Sequence, residues 1–148
     1  MKKISTAFAL AMILALTCLP TSAAGPVDEA AVLDAVRANV DALEREDLPA
    51  YMATIHQDAP AYEGTKKIVA ELFHDYDLEY QLEKIELVKE DDADQESGVA
   101  KVRFIQVTTL VKGGKFKNNR TTGVHTLKSS GGQWKLFSTE VENVEYLP

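Results

Sequence analysis

From Asp77 onward the apolar residues of this chain change their spacing from about four to two, and the new period persists to Glu145. A period of two places alternate side chains on opposite faces of a strand, whereas a period near four belongs to a helix. The switch therefore orders the chain as helices first and strands after. The first strand reads from Glu79 to Lys89, and its apolar phase slips between Leu82 and Ile85, the mark of a bulge or strong bend. The acidic stretch from Asp91 to Gly98 makes a turn. A long strand follows from Val99 to Lys112, with Ala100, Val102, Phe104, Gln106, Thr108 and Leu110 on one face. After Gly113-Gly114 comes a strand from Arg120 to Ser129, then the turn Ser130-Gly131-Gly132 and a last strand from Gln133 to Glu145. In this phasing His125 shares a face with Thr121, Gly123 and Leu127. Trp134 shares one with Leu136, Ser138 and Glu140.

Three helices precede this meander. Asp28 and Glu29 place negative charge at the first N-terminus, and Val32, Val36, Val40 and Leu43 form an aliphatic buried stripe. Asp47 caps a short second helix, with Pro49 tolerated in its first turn and Leu48, Met52 and Ile55 buried. A polar link from His56 to Gly64 contains Pro60. Thr65 is then expected to cap a third helix with a stripe of Ile68, Leu72, Phe73 and Tyr76.

The segment ahead of the helices reads as a signal peptide over residues 1–24. Lys2 and Lys3 precede a ten-residue apolar run, Ala7 to Leu16, and Ser22-Ala23-Ala24 offers a cleavage site. The run is too short to span a bilayer, which takes about 20 apolar residues, so no integral membrane segment is expected in the mature chain. The expected location is periplasmic or secreted. Cys18, the single cysteine, offers a competing lipoprotein anchor, although Ala15-Leu16-Thr17 is a poor match to the usual residues before such a cysteine. Cleavage after Ala24 leaves residues 25–148 as one domain without cysteine, and hence without disulfides. Loss of Lys2 and Lys3 takes the 16 basic residues to 14 against 23 acidic ones, a formal charge of −9. That balance argues against nucleic acid as a partner, because such binding relies on Lys and Arg neutralising phosphates.

Helices followed by an antiparallel meander predict an α+β fold: three N-terminal helices packed on a strongly curved sheet of about four long strands, cone-shaped around one pocket. The order of elements carries a resemblance. The segment Glu46-Asp47-Leu48-Pro49-Ala50-Tyr51-Met52 lies between the first and third helices. The closing hairpin joins Val124-His125-Thr126-Leu127 to Trp134-Lys135-Leu136. In these features the chain resembles the nuclear transport factor 2-like superfamily, which includes SnoaL-like and steroid-isomerase-like domains. The resemblance spans residues 25–148 and implies a pocket between the helices and the concave sheet. It also implies a homodimer through the outer sheet face. Many relatives insert a strand hairpin between the second and third helices, where this chain has only the link from His56 to Gly64. A more open or smaller pocket follows. The fold hosts enzymes, binding modules and assembly domains, so it does not decide function.

His125 turns inward if Leu127 does, and is then the leading candidate for a general base, since histidine titrates near neutral pH. Against it stands a histidine merely hydrogen-bonded to a neighbouring strand, and no second strand histidine completes a pair. His56 and Asp58 follow the second helix, close to Tyr51. Steroid-isomerase-like relatives combine a carboxylate base with a tyrosine donor, and Asp58 is the nearest counterpart by position. Its bland alternative is a turn residue ahead of Pro60. If the Val102–Phe104 face lines the cone, Gln106 and Thr108 extend it as groups that orient a ligand; alternation does not choose the face, because both are partly apolar. Tyr51, His56, Tyr62 and Trp134 complete the expected lining. Arg103 points to the other face, towards Glu140 or Glu142. His74 to Asp77 lacks a second ligand cluster, and Asp92, Asp94 and Glu96 lack the glycine and register of a calcium loop, so no metal is expected. No cofactor motif, nucleophile elbow or phosphate loop is present.

Three readings remain open. The first is non-catalytic binding of a small apolar or amphipathic ligand or a partner segment. The second is an isomerase, dehydratase or hydrolase using His125 or Asp58 as base, and the third is a dimeric assembly module.

Overall fold

Helix α1 (Glu29–Glu44) begins where the carboxylate of Asp28 accepts a hydrogen bond from the amide of Ala31 at 3.2 Å, satisfying one of the donors that a helix start leaves free. Asp47 does the same for α2 (Leu48–Ala53), accepting from Ala50 N at 2.9 Å, with Pro49 in the first turn. The computed structural model describes residues 27–89 and 97–148. The signal peptide expected over residues 1–24, Cys18 and the acidic residues 91–96 lie outside the described residues. Among the described residues, no helix is long and apolar enough to cross a membrane.

Helix α3 (Tyr62–Asp75) departs from the sequence reading. It starts three residues before Thr65, because the turns Ala59 N to His56 O and Tyr62 N to Ala59 O, both 3.0 Å, lead straight into it. Thr65 therefore lies inside the first turn, its amide bonded to Ala61 O, and caps nothing. The buried stripe is rotated by one residue as well. Val69 is buried while Ile68 is 64% exposed, and the partly covered residues are Thr65, Leu72 and Phe73. Tyr76 has left the helix for extended backbone (φ −138, ψ 146) and opens the sheet.

Four strands, β1 (Tyr76–Leu87), β2 (Val99–Gly113), β3 (Asn119–Ser130) and β4 (Gln133–Tyr146), pair antiparallel in sequence order. They form a curved sheet with the helices on one face. Ala100, Val102, Phe104 and Thr108 of β2 are buried on that inner face, together with His125 and Leu127 of β3. Of these, Ala100, Val102 and Leu127 meet Val32 and Val36 of α1, Met52, Ile55 and Ala59, and Leu136 of β4 in one apolar cluster. Val40, Leu78 and Tyr80 form a second, smaller one. The phase slip foreseen in β1 is real: Leu82 pairs with Gln106 and Lys84 with Ile105, leaving Glu83 as the extra residue of a bulge.

A corresponding irregularity in β4 corrects the expected face. Leu127 pairs with Leu136 but Thr126 pairs with Ser138, so Phe137 is extra. One inserted residue reverses the alternation. Trp134 and Leu136 stay on the inner side, whereas Ser138 and Glu140 pair with outward-facing Thr126 and Val124. Thr139, opposite His125, and Val141, opposite Gly123, take the inner positions instead. A second shift leaves Glu142 extra between Val141 and Asn143. On the outer face Arg103 Nη1 meets Glu142 Oε2 at 3.0 Å. Arg120 reaches Glu83 at 2.8 Å and Glu145 at 3.1 Å. Hydrogen bonding to Arg120 is the main cause holding the Glu83 carboxyl below its usual range.

Gly123 is a packing position. A Cβ there would collide with the carbonyl oxygen of Glu140 and lie 3.0 Å from two ring carbons of Phe104. Gly64, in α3, has open space around its missing Cβ. Gly123→Ala should therefore destabilise the fold by about 1–3 kcal/mol through overpacking. Gly64→Ala should stabilise it by up to about 1 kcal/mol through helix propensity. Urea denaturation of the two variants checks both signs, and a neutral Gly123→Ala would show that the β3–β4 contact yields freely.

Candidate functional site

Between the helices and the concave sheet lies a cavity of about 430 Å³. Each element contributes by its own periodicity. Helix α1 presents Asn39 and Leu43, α2 presents Tyr51, and the segment after α2 presents Ile55 and Ala59. Gln106 and Phe104 come from β2, Thr121 and His125 from β3, and Thr139 and Val141 from β4. No Asp, Glu, Lys or Arg is among the residues that line it.

His125 is the most constrained group of the wall. Its ring stacks on Phe104 with centroids 4.1 Å apart and planes 10° from parallel. Gly123 makes room for this, since a side chain there would meet the Phe104 ring. Nδ1 of His125 is 2.8 Å from the hydroxyl of Thr139. Burial, without an acidic neighbour to offset it, pushes the imidazole pKa down from 6.5 to about 4. The ring is neutral at physiological pH.

A second polar group sits on the helical side. Asn39 Nδ2 donates to Thr54 Oγ1 at 2.7 Å, and that hydroxyl donates to the carbonyl of Tyr51 at 2.6 Å. The phenol of Tyr51 is hydrogen-bonded to Asn39, yet burial dominates and raises its pKa. Tyr80 is pushed up to about 12, first by burial and then by the proximity of Tyr51 and Glu46. Both phenols stay protonated at neutral pH. The buried stripe of α1 is thus not wholly aliphatic, as its sequence suggested: Asn39 is 5% exposed. Its position three residues after Val36 on the same face was the available signal. Thr139 left no such signal, because the bulge at Phe137 hides its phase.

Of the residues singled out from the sequence, Tyr51, Gln106 and His125 meet at this cavity. Asp58 does not: its side chain is 89% exposed in the turn after α2, and its amide donates to His56 Nδ1 at 3.1 Å. His56 is held by that turn and by an edge contact with Phe137 at 5.7 Å. Tyr62 and Trp134 pack against the outside of the main apolar cluster. Thr108 is buried beside the cavity, its hydroxyl 3.4 Å from Gln106 Nε2. Among the described residues, no group of three or more His, Cys, Asp or Glu is placed to hold a metal ion. A separate depression of about 420 Å³ lies where α1 ends against α3 and β1, and charged side chains such as Glu44, Glu46, Asp75 and Lys112 border it.

Residues 34–147 match the family described as the C-terminal domain of anti-sigma-I factor RsgI9. The chain belongs to this family. The anti-sigma-I factor RsgI9 of Acetivibrio thermocellus is 32% identical over 108 residues, covering 73% of this chain and 14% of that protein. The chain therefore spans about one seventh of that relative's length. Among solved structures, a ketosteroid isomerase-like protein from Erwinia carotovora atroseptica aligns with a TM-score of 0.58 and 20% identity, over 80% of this chain and 99% of that one. A nuclear transport factor 2-like protein of unknown function from Shewanella oneidensis aligns with a TM-score of 0.56 and 12% identity, over 76% and 96%. Likeness at such identities is one of fold. This RsgI9 C-terminal-type domain thus has the nuclear transport factor 2-like α+β cone that its order of elements resembled.

The buried imidazole makes the domain sensitive to acid. Below pH 6.5 the unfolded chain takes up a proton at His125 before the folded one does. The stability is therefore full near pH 7 and declines as the pH falls from 6.5 towards 4. The gap between 6.5 and about 4 corresponds to at most about 3 kcal/mol. His125→Phe keeps an aromatic ring beside Phe104 and removes the titration. Between about pH 7 and about pH 4 the wild type should lose up to about 3 kcal/mol more than this variant in urea denaturation. Equal losses would show that His125 is not a buried neutral ring.

Proposed function

We propose that this chain is a non-catalytic binding domain whose cavity takes up a small apolar or amphipathic ligand. One observation carries the reading: a cavity of about 430 Å³, lined by apolar and uncharged polar side chains with no carboxylate or cationic group. Pockets of this size and lining suit small organic molecules. Proton transfer would need a base poised near neutral pH and a partner to orient it. Here the one histidine on the cavity wall is neutral down to about pH 4 and engages a threonine hydroxyl, while Asp58 stands in solvent. The name of the RsgI9 relative, an anti-sigma factor, supports a recognition role within a regulatory protein.

Titration with a neutral apolar fluorophore, N-phenyl-1-naphthylamine, tests the reading. Saturable one-to-one binding with a micromolar Kd is expected. Thr65→Trp should weaken it by tenfold or more, because Thr65 lines the cavity from a partly exposed helix position. Absence of saturation up to about 1 mM, for this probe and for a panel of neutral lipids and aromatic metabolites, would reject the proposal.

A further inference from the structure

The polar atoms left free inside the cavity restrict what can occupy it. His125 is 9% exposed, and its Nδ1 is engaged by Thr139. Among the described residues its other ring nitrogen, Nε2, has no hydrogen-bond partner. Among those residues no fully enclosed side-chain nitrogen or oxygen lacks one, so Nε2 is not fully enclosed, and the cavity is the space that His125 lines. Where the Thr139 hydroxyl donates to Nδ1, Nε2 is a donor, and where it accepts from Nδ1, Nε2 is an acceptor. Gln106 offers a second neutral group. Its Nε2 makes only a long 3.4 Å contact to Thr108, which leaves its carbonyl oxygen for a ligand. The two groups are not adjacent. His125 stands opposite Val102 and Thr121 opposite Gln106, so four residues, about 13 Å of strand, separate the two positions.

Building on the binding function above, we propose that the cavity selects uncharged ligands that carry a hydroxyl or carbonyl group, with His125 Nε2 as the specificity-determining contact, and that it rejects ionised ones. An ionised carboxylate or ammonium entering this site loses its water and finds no opposite charge among the lining residues. An alcohol or carbonyl loses less and regains a hydrogen bond to Nε2. A purely apolar molecule enters but leaves Nε2 without a partner, a penalty that a hydrogen-bonding ligand removes.

Four probes of one shape separate these cases: 2-naphthalenemethanol, 2-methylnaphthalene, 2-naphthoate and 2-naphthylmethylammonium. Their affinities would be measured at neutral pH by NMR shift titration. The alcohol should bind at least tenfold more tightly than either ion, and more tightly than the hydrocarbon. His125→Phe keeps the ring and removes the nitrogens. It should weaken the alcohol by about three- to tenfold and, because no unpaired nitrogen is then left behind, should bind the hydrocarbon at least as tightly as the wild type does. An ion binding as well as the alcohol would overturn the proposal while leaving the binding function intact, as would a variant that weakens alcohol and hydrocarbon alike. If none of the four binds, the selectivity fails, and the binding function stands or falls on the N-phenyl-1-naphthylamine titration. The wild-type ranking decides without the variant, should His125→Phe not fold.

Discussion

Two backbone hydrogen bonds between the end of α2 and strand β4 hold the two layers of this domain in register. His56 N donates to Leu136 O at 2.7 Å, and Leu136 N donates to Thr54 O at 2.9 Å, which makes a parallel bridge of Ile55 and Leu136. An edge strand otherwise exposes such groups, and here Thr54 and His56 satisfy them. The contact also reaches inward. Thr54 Oγ1 accepts from Asn39 of α1, while Ile55 and Leu136 both enter the main apolar cluster. Helices α1 and α2 and strand β4 are therefore tied at one point, and the cavity opens directly beside it.

The residue after Leu136 decides the chemistry of the cavity. Phe137 is extra in the pairing, and it reverses the alternation of β4 and brings Thr139 opposite His125. Without that reversal, Ser138 would stand opposite His125 and Glu140 opposite Gly123, which would bring a carboxylate onto the same wall as the imidazole. A neighbouring carboxylate raises a histidine's pKa, and burial without one lowers it. The bulge thus separates a candidate acid–base pair from a neutral wall. The extra residues of two bulges also serve the outer face, where Glu83 meets Arg120 and Glu142 meets Arg103. Such exposed pairs contribute little stability, about 0–1 kcal/mol each. They do tie the bulged edge strands to the central ones.

The sequence made much of this visible. Strand order, the residues that share each face of β2, the slip at Leu82–Ile85 and the shared face of His125 and Leu127 all follow from local alternation, which β-strands preserve over ten residues or more. Which face of β2 is the inner one does not, because both are partly apolar. The caps at Asp28 and Asp47 follow from local hydrogen bonding. Helix α3 was harder. Its N-terminus has no side-chain cap, so Thr65 was the only capping residue available to a sequence reading. The resulting frame put Ile68 inward where Val69 belongs. Asp58 illustrates a different gap: its neighbours in sequence place it near Tyr51, but the turn against His56 sends its carboxylate into solvent.

By itself, the sequence determined an α+β chain of three helices and a four-stranded meander, because helical and extended periods are set by residues a few positions apart. It also grouped Gln106 with Val102 and Phe104 and His125 with Leu127, while leaving the choice of inner face to the packing. Only the tertiary structure decided that Thr139 rather than Ser138 meets His125, that Glu140 is turned off this wall, that Asn39 joins it, and that no charged residue lines it. Those outcomes depend on where a strand takes up an extra residue and on which buried groups find partners across elements. Such pairings lie between residues as far apart as Asn39 and Thr54 or His125 and Thr139, and no local period records them.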